Sequence, residues 1–316
     1  MTTAASEYVF ERLSEKHYKD LQFLFQHCFN RNVAADYFVK KFDTKQFGVQ
    51  HLGYLAYTKD GFPAAFYGLY PLIMHYQQKD YLSAVSGDSM THENHRRKGL
   101  FDLLAKMTYE LAQELGVKFL YCFPNQYTLP GSKKIGWEYV PDEMMLTYSI
   151  KVKTLPIAKI CRKNSILNQL YKGYVKLILG IFSKSGSPFQ NSLKNSSFGY
   201  ILHDSNYFAY KSYTDTKLVK LAGNSVWLKV DGELKIGDID STEPTAILDT
   251  INKLKSIAFF IGCQELQTTV CKESFIHNAL SQKYIGFESF CIGRINFGID
   301  FPKENVRFIM SDFDSF

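Results

Sequence analysis

The 316-residue sequence holds no CxxC pair, no His-Glu-x-x-His, no Walker loop, no Gly-x-Ser-x-Gly elbow and no dinucleotide fingerprint. Zinc proteolysis, P-loop hydrolysis and serine-hydrolase chemistry lose their usual supports, and no metal is expected. Its six cysteines (Cys28, Cys122, Cys161, Cys263, Cys271 and Cys291) are scattered, and read as reduced, buried thiols rather than a disulfide framework. No uncharged apolar run approaches the roughly 20 residues that cross a bilayer. Met1 to Tyr8 lacks the basic flank and apolar stretch of a secretory signal. These absences predict a cytoplasmic protein.

Acid is missing from one long stretch. Between Glu143 and Asp204 there is no Asp or Glu, while nine cations lie there: Lys151, Lys153, Lys159, Arg162, Lys163, Lys172, Lys176, Lys184 and Lys194. The net charge of +6 therefore belongs to the middle of the chain. Such a segment fits contact with anionic lipid or an acidic polymer, and also a solvated connector. A connector is expected in preference to peripheral membrane contact through 151–194. Leu167, Leu170, Tyr174, Leu177, Ile178 and Ile181 form a helical stripe, expected to pack on a domain. Without stacking motifs or a recognition helix, nucleic acid is not an expected partner.

What is present is an ordinary globular composition, 46% hydrophobic and 22% charged, dense in Phe and Tyr and long enough for two domains. Periodicity predicts strands at 8–13, 51–57, 64–76, 81–91 and 117–123, with helices at 15–29, 34–42 and 99–115. Two further strands are expected at 137–139 and 146–152. After a linker at 183–196 come a helix at 206–213 and a hairpin at 226–239 around Asp231-Gly232. A helix at 245–261, a strand at 265–270, a helix at 275–280 and strands at 287–297 and 306–310 complete the order. The two halves read as copies of one α/β fold.

One stretch carries recognisable chemistry: Thr91-His92-Glu93-Asn94-His95-Arg96-Arg97-Lys98-Gly99-Leu100-Phe101, between a strand and the longest clear helix. Free amides and the positive helix end at such a junction bind phosphate. Gly99 permits close backbone approach, and Arg96, Arg97 and Lys98 add positive charge. Arg96 to Phe101 resembles the Arg/Gln-x-x-Gly-x-Gly/Ala signature of the GNAT superfamily of acyl-CoA-dependent N-acetyltransferases, with Phe101 replacing the small last residue. His95 to Phe101 particularly resembles the enhanced-intracellular-survival-type acetyltransferases. Lys134-Ile135-Gly136-Trp137 is similar to the family's Lys-x-Gly-Phe element.

The resemblance covers roughly residues 5 to 150. It implies an α/β (α+β) fold of two GNAT-like mixed-sheet domains: 1–153 binding acetyl-CoA, a basic helical connector at 154–196, and a degenerate copy at 197–316. In the second copy, acidic Asp238 to Glu243 replaces the phosphate loop. By the same resemblance, Ser89, Met90 and Thr91 pair with the pantetheine arm, and amides from Arg97 through Gly99 and Leu100 to Phe101 hold the pyrophosphate. Asn125 is a candidate for a further pantetheine contact or else a helix N-cap or turn residue. Ser132 stands where many relatives place an acidic tyrosine, with Tyr127 nearby but off register. His92 and His95 read as polar loop residues. Asp88 is a candidate base if its strand bulges and otherwise an exposed strand-end residue. The terminal carboxylate of Phe316 is another candidate, as in the survival-type enzymes, with a frayed terminus as its alternative. The implied activity is acetyl transfer from acetyl-CoA to a small-molecule or amino-sugar amine in a groove between the halves. The alternatives are a non-catalytic tandem binding module and aminoacyl transfer to cell-wall precursors.

Overall fold

A computed structural model describes residues 4–124, 129–195 and 197–316. It is mixed α/β and divides into two compact units, Met1–Pro141 with Ile292–Glu304, and Asp142–Cys291 with Asn305–Phe316. The boundaries expected at 153 and 196 do not coincide with the edges of these units. Residues 154–196 belong wholly to the second unit, and a stretch from the far end of the chain completes the first.

The first unit contains strands β1 (Tyr8–Arg12), β2 (Leu52–Thr58), β3 (Pro63–Tyr76), β4 (Lys79–Thr91) and β5 (Phe119–Cys122). Its helices are α1 (Ala4–Glu7), α2 (Tyr18–Phe29), α3 (Tyr37–Lys41), α4 (Leu100–Glu114) and α5 (Leu129–Lys134). Strands β1 to β4 pair antiparallel in sequence order, and α4 then crosses over so that β5 runs parallel to β4. The apolar face of α4, with Leu100, Leu104, Ala105 and Leu111, packs on Leu52, Ala56, Tyr67 and Leu69. Each fully buried leucine of this kind contributes about 1.5–3 kcal/mol. On its other edge β5 is paired antiparallel by residues 293–296.

Strand β6 (Glu138–Lys151) is one continuous strand where the sequence suggested two. The second unit adds β7 (Lys184–Ser185), β8 (Tyr200–Ile201), β9 (Lys217–Leu221), β10 (Asn224–Val230), β11 (Leu234–Ile239), β12 (Glu265–Val270) and β13 (Gly286–Asn296). Its helices are α6 (Ile157–Arg162), α7 (Ser165–Phe182), α8 (Ser205–Lys211), α9 (Pro244–Ile261) and α10 (Phe275–Leu280). Strands β9, β10 and β11 pair antiparallel, α9 crosses over, β12 runs parallel to β11, and residues 146–151 of β6 flank β12 antiparallel. This repeats the pairing order of the first unit. In both, the strand beside the crossover strand comes from a distant part of the sequence.

Three expectations need correction. The strand placed at 306–310 is absent, and Val306 and Ile309 make only single bridges, to Gly199 and Val270. Residues 183–196 are not an open linker, since Asn191, Ser192 and Leu193 are buried. The stripe on α7 does not pack inward: Tyr171, Val175, Ile178 and Leu179 face the unit, while Leu167, Leu170, Tyr174, Leu177 and Ile181 are exposed. The sequence stripe was wide enough to be divided, and the face carrying a buried hydroxyl bond, Tyr171 to the carbonyl of Ile261 at 2.7 Å, turned inward.

Candidate active site

Strand β4 is regular only as far as its middle. It pairs with β5 through Ser83, Ala84 and Val85, opposite Phe119, Leu120 and Tyr121, and the pairing stops there although β4 continues to Thr91. Beyond that point one edge of β4 is left without β5 as a partner. A bulge accompanies the divergence: Phe66 and Gly68 of β3 face Met90 and Gly87, so one extra residue of β4 is accommodated. Asp88 takes it up in the left-handed region, at φ +51°. A bulge bends its strand and sharpens the local twist, which separates strands that would otherwise stay paired.

A buried cation fixes the bulge. The carboxylate Oδ2 of Asp88 accepts from the Lys41 ammonium and from the Tyr70 hydroxyl, the latter at 2.7 Å. Lys41 is 1% exposed and its Nζ lies 4.4 Å from the Tyr70 ring centroid, a cation–π contact. Burial, and then the Asp88 charge, push the Tyr70 hydroxyl well above its ordinary range. Asp88 therefore sits at a bulge and not as an exposed strand-end residue, with one carboxylate oxygen already engaged twice.

The loop after β4 leads into α4. His92, buried, caps a short 3-10 turn at Glu93–His95 by accepting from the Asn94 amide. His95 accepts from or donates to the Tyr8 hydroxyl at 2.8 Å, and burial together with Lys98 lowers its imidazole below the usual range. Both histidines thus shape the loop. Arg97 at φ +63° and Gly99 at φ +78° are left-handed, which turns the chain sharply into the helix. Gly99 is the N-cap of α4 and offers no capping side chain, so the first-turn amides of Leu100, Phe101 and Asp102 have no partner within the helix. A Cβ built on Gly99 would meet nothing within 4 Å. Arg96, Arg97 and Lys98 are exposed around this opening. Arg96 donates to the Thr91 carbonyl, and Lys98 reaches Glu7 at 3.5 Å. The arrangement concentrates amides, a helix dipole and three cations at one mouth, which is what an anionic group needs.

Phe101 does not crowd the mouth. Its ring packs edge-on against Tyr67, centroids 5.5 Å apart, and lies beneath Gly131. Tyr67 in turn bonds the Tyr109 hydroxyl at 2.8 Å and accepts from Ser86, the first residue of β4 past its pairing with β5. Burial raises the Tyr67 hydroxyl to about 12.

Ser132 is buried, donates to the Leu129 carbonyl at 2.8 Å and lies 2.6 Å from the hydroxyl of Tyr139. With the serine proton committed to Leu129, the phenol is the donor in that pair. Tyr139 also abuts Gly293, whose strand neighbour is Cys122 at the end of β5. A phenol therefore stands beside the serine, supplied from β6. Sequence reading missed Tyr139 and Lys41, since neither lies in a motif. A lysine in a Phe-rich helix (Phe38-Val39-Lys40-Lys41-Phe42) was the only available hint of a buried cation.

Asn125 and Tyr127 lie outside the described residues. Phe316 belongs to the second unit, where its ring is 2% exposed, edge-on to Trp227 at 5.3 Å and seated over Gly237. In that unit the acidic run begins inside β11, and its later residues, 240–243, form a partly exposed loop before α9. Asp238 is fully buried and accepts from the amides of Ser192 and Ile239.

Residues 10–140 match the acetyltransferase (GNAT) domain family. No curated protein matches the chain. Solved structures with the same fold include the GCN5-related N-acetyltransferases of Kribbella flavida (TM-score 0.58, 10% identity, covering 92% of this chain and 72% of that one) and Anabaena variabilis (TM-score 0.57, 12% identity, 92% and 73%). A conserved protein of unknown function from Enterococcus faecalis matches at TM-score 0.60 and 13% identity, covering 92% of this chain and 73% of that one. The chain thus shares the GNAT fold.

Proposed function

We propose that the protein is an acyl-CoA-dependent N-acyltransferase, moving acetyl from acetyl-CoA to a small-molecule or amino-sugar amine. The observation that carries the reading is the coincidence, within the GNAT-matching region, of a bulged β4 diverging from β5 and an uncapped, cation-ringed start to α4. The unpaired edge of β4 at Ser89, Met90 and Thr91 would hold the pantetheine arm as an added strand. The amides of Arg97 to Phe101 would hold the pyrophosphate, with Arg96, Arg97 and Lys98 neutralising its charge.

The neutral amine nitrogen, its ammonium proton released to water, attacks the thioester carbonyl carbon. The proton it sheds as the amide forms passes to the phenolate that Tyr139 becomes. The oxyanion that forms is stabilised by a β4 amide, and collapse breaks the carbon–sulfur bond. The departing thiolate takes a proton from Tyr139, the phenol nearest the serine that stands in the family's acid position. Asp88 is given a positioning task, holding the bulge that opens β4. The second unit repeats the pairing order but buries Asp238 where a phosphate loop would begin, which supports a tandem arrangement with one cofactor site per chain.

The test is incubation with acetyl-CoA and a panel of amines and amino sugars, read by mass spectrometry for acetyl addition. Calorimetry alongside should give one acetyl-CoA per chain. Tight acetyl-CoA binding with no acetylated product from any amine would favour the non-catalytic binding module.

A further inference from the structure

The exposed face of α7 has a composition unlike the rest of the surface. Leu170 is 68% exposed, Leu177 60% and Ile181 64%, and they line one side of the helix with Ile166 and Tyr174. Eighteen residues at 1.5 Å rise give a stripe about 27 Å long. The stripe continues onto neighbours. Ile160 of α6 and Phe259 of α9 are more than half exposed, and Phe182 stacks on the part-exposed Phe260 at 4.9 Å. Isolated apolar residues on a surface are ordinary, but a contiguous run of this extent marks a contact site.

Charge identifies the occupant. The stripe lies within the acid-free stretch, and its rim carries Lys163 and Lys176, which form no ion pair among the described residues. Lys172 and Arg162 are instead tied to carboxylates, Asp215 at 3.0 Å and Asp231 at 3.2 Å. A second copy of the chain is a poor match, because a two-fold contact would bring together two copies of a stretch that carries no acid to offset its lysines. An anionic bilayer surface matches both parts. The leucines and isoleucines enter the boundary of the acyl region, the aromatic rings of Tyr174, Phe182 and Phe259 take the headgroup level, and the lysines meet the lipid phosphates. No helix among the described residues is long and apolar enough to cross a membrane, so α7 would lie on the surface and not span it.

We propose that the α6–α7 face docks the protein onto membranes rich in anionic phospholipid. This is independent of the acyltransferase reading. The experiment is co-sedimentation of the full chain with phosphatidylcholine vesicles and with vesicles of phosphatidylcholine mixed with phosphatidylglycerol, at low and high salt. The expected result is binding to the mixed vesicles alone, weakening as salt rises. Leu170→Asp and Leu177→Asp should each lower the partition coefficient by about tenfold or more, with melting unchanged because both side chains are already in solvent. Lys163→Glu with Lys176→Glu, also at exposed positions, should abolish the preference for phosphatidylglycerol. Absence of binding to mixed vesicles, or binding indifferent to all these substitutions, overturns the proposal. A dimer in sedimentation velocity that Leu170→Asp converts to monomer also overturns it, assigning the face to a second copy.

Discussion

Gly99 allows the anion site to be tested with its steric and electrostatic contributions separated. Its left-handed backbone costs any L-residue about 1–2 kcal/mol, and both Gly99→Ala and Gly99→Glu incur that cost. With nothing within 4 Å of the added Cβ, neither side chain meets an obstacle. The two variants should therefore melt together, a few degrees below the parent, since about 1 kcal/mol shifts a unit of this size by roughly 2–4 °C. They should differ in acetyl-CoA affinity. A glutamate carboxylate about 5 Å from a pyrophosphate carrying two charges is repelled by about 2 kcal/mol at the dielectric of water and about 7 kcal/mol at a protein-surface value of about 20, so Kd should rise at least roughly tenfold. Calorimetric titration at low and physiological salt reads this directly, and the gap between the variants should narrow as salt screens it. Equal affinities for Gly99→Ala and Gly99→Glu at low salt would refute the assignment of the α4 start as the pyrophosphate site.

Other substitutions probe the same architecture. Asp88→Asn removes the carboxylate that pairs with the buried Lys41 ammonium and should cost about 3–5 kcal/mol in urea unfolding, while Lys41→Met with Asp88→Asn should recover most of it; a loss under 1 kcal/mol would deny the pair its role. Tyr139→Phe should lower kcat by about a hundredfold or more with acetyl-CoA affinity nearly unchanged, and full turnover would remove it as the acid. Burial raises the Asp238 carboxyl from 3.8 to about 6. Between those values the unfolded chain ionises this group while the folded chain holds the proton, so it makes stability fall as pH rises, by roughly 3 kcal/mol across the window. Asp238→Asn should remove that slope from the pH–stability curve, and an unchanged curve would contradict the burial argument. Phe316→Ala empties a slot between Trp227 and Gly237 and should destabilise the second unit by about 3–5 kcal/mol.

Much of this was legible in the sequence where the signal is local. The helix over 100–114 declared itself through leucines at helical spacing, and the strands on either side of Lys59-Asp60-Gly61 through their turn. The cationic loop could likewise be placed, because it depends on neighbouring residues, whereas the bulge at Asp88 rests on Lys41 and Tyr70 from elsewhere in the chain. Pairing between distant segments could not. Nothing in Gly293-Arg294-Ile295-Asn296 names Cys122 to Phe119 as its partner, so the edges of the two units fell elsewhere than expected. Tyr139 was hidden for the same reason, since its value depends on β6 folding back past Ser132. The α7 stripe shows a different limit: hydrophobic periodicity identifies an amphipathic helix without saying which apolar residues find a neighbour.

The late arrival of residues 292–304 has a consequence for how the chain comes into being. During synthesis β5 emerges with one edge unpaired, and its antiparallel neighbour follows only about 170 residues later. The first unit cannot complete this sheet edge until residues 293–296 have left the ribosome. Residues 146–151, already made, meanwhile wait for β12. A product truncated at 153 or at 291 would carry a bare strand edge able to pair with other chains. A synthetic peptide spanning 292–304, supplied to the 1–291 fragment, would be the natural agent to cap it.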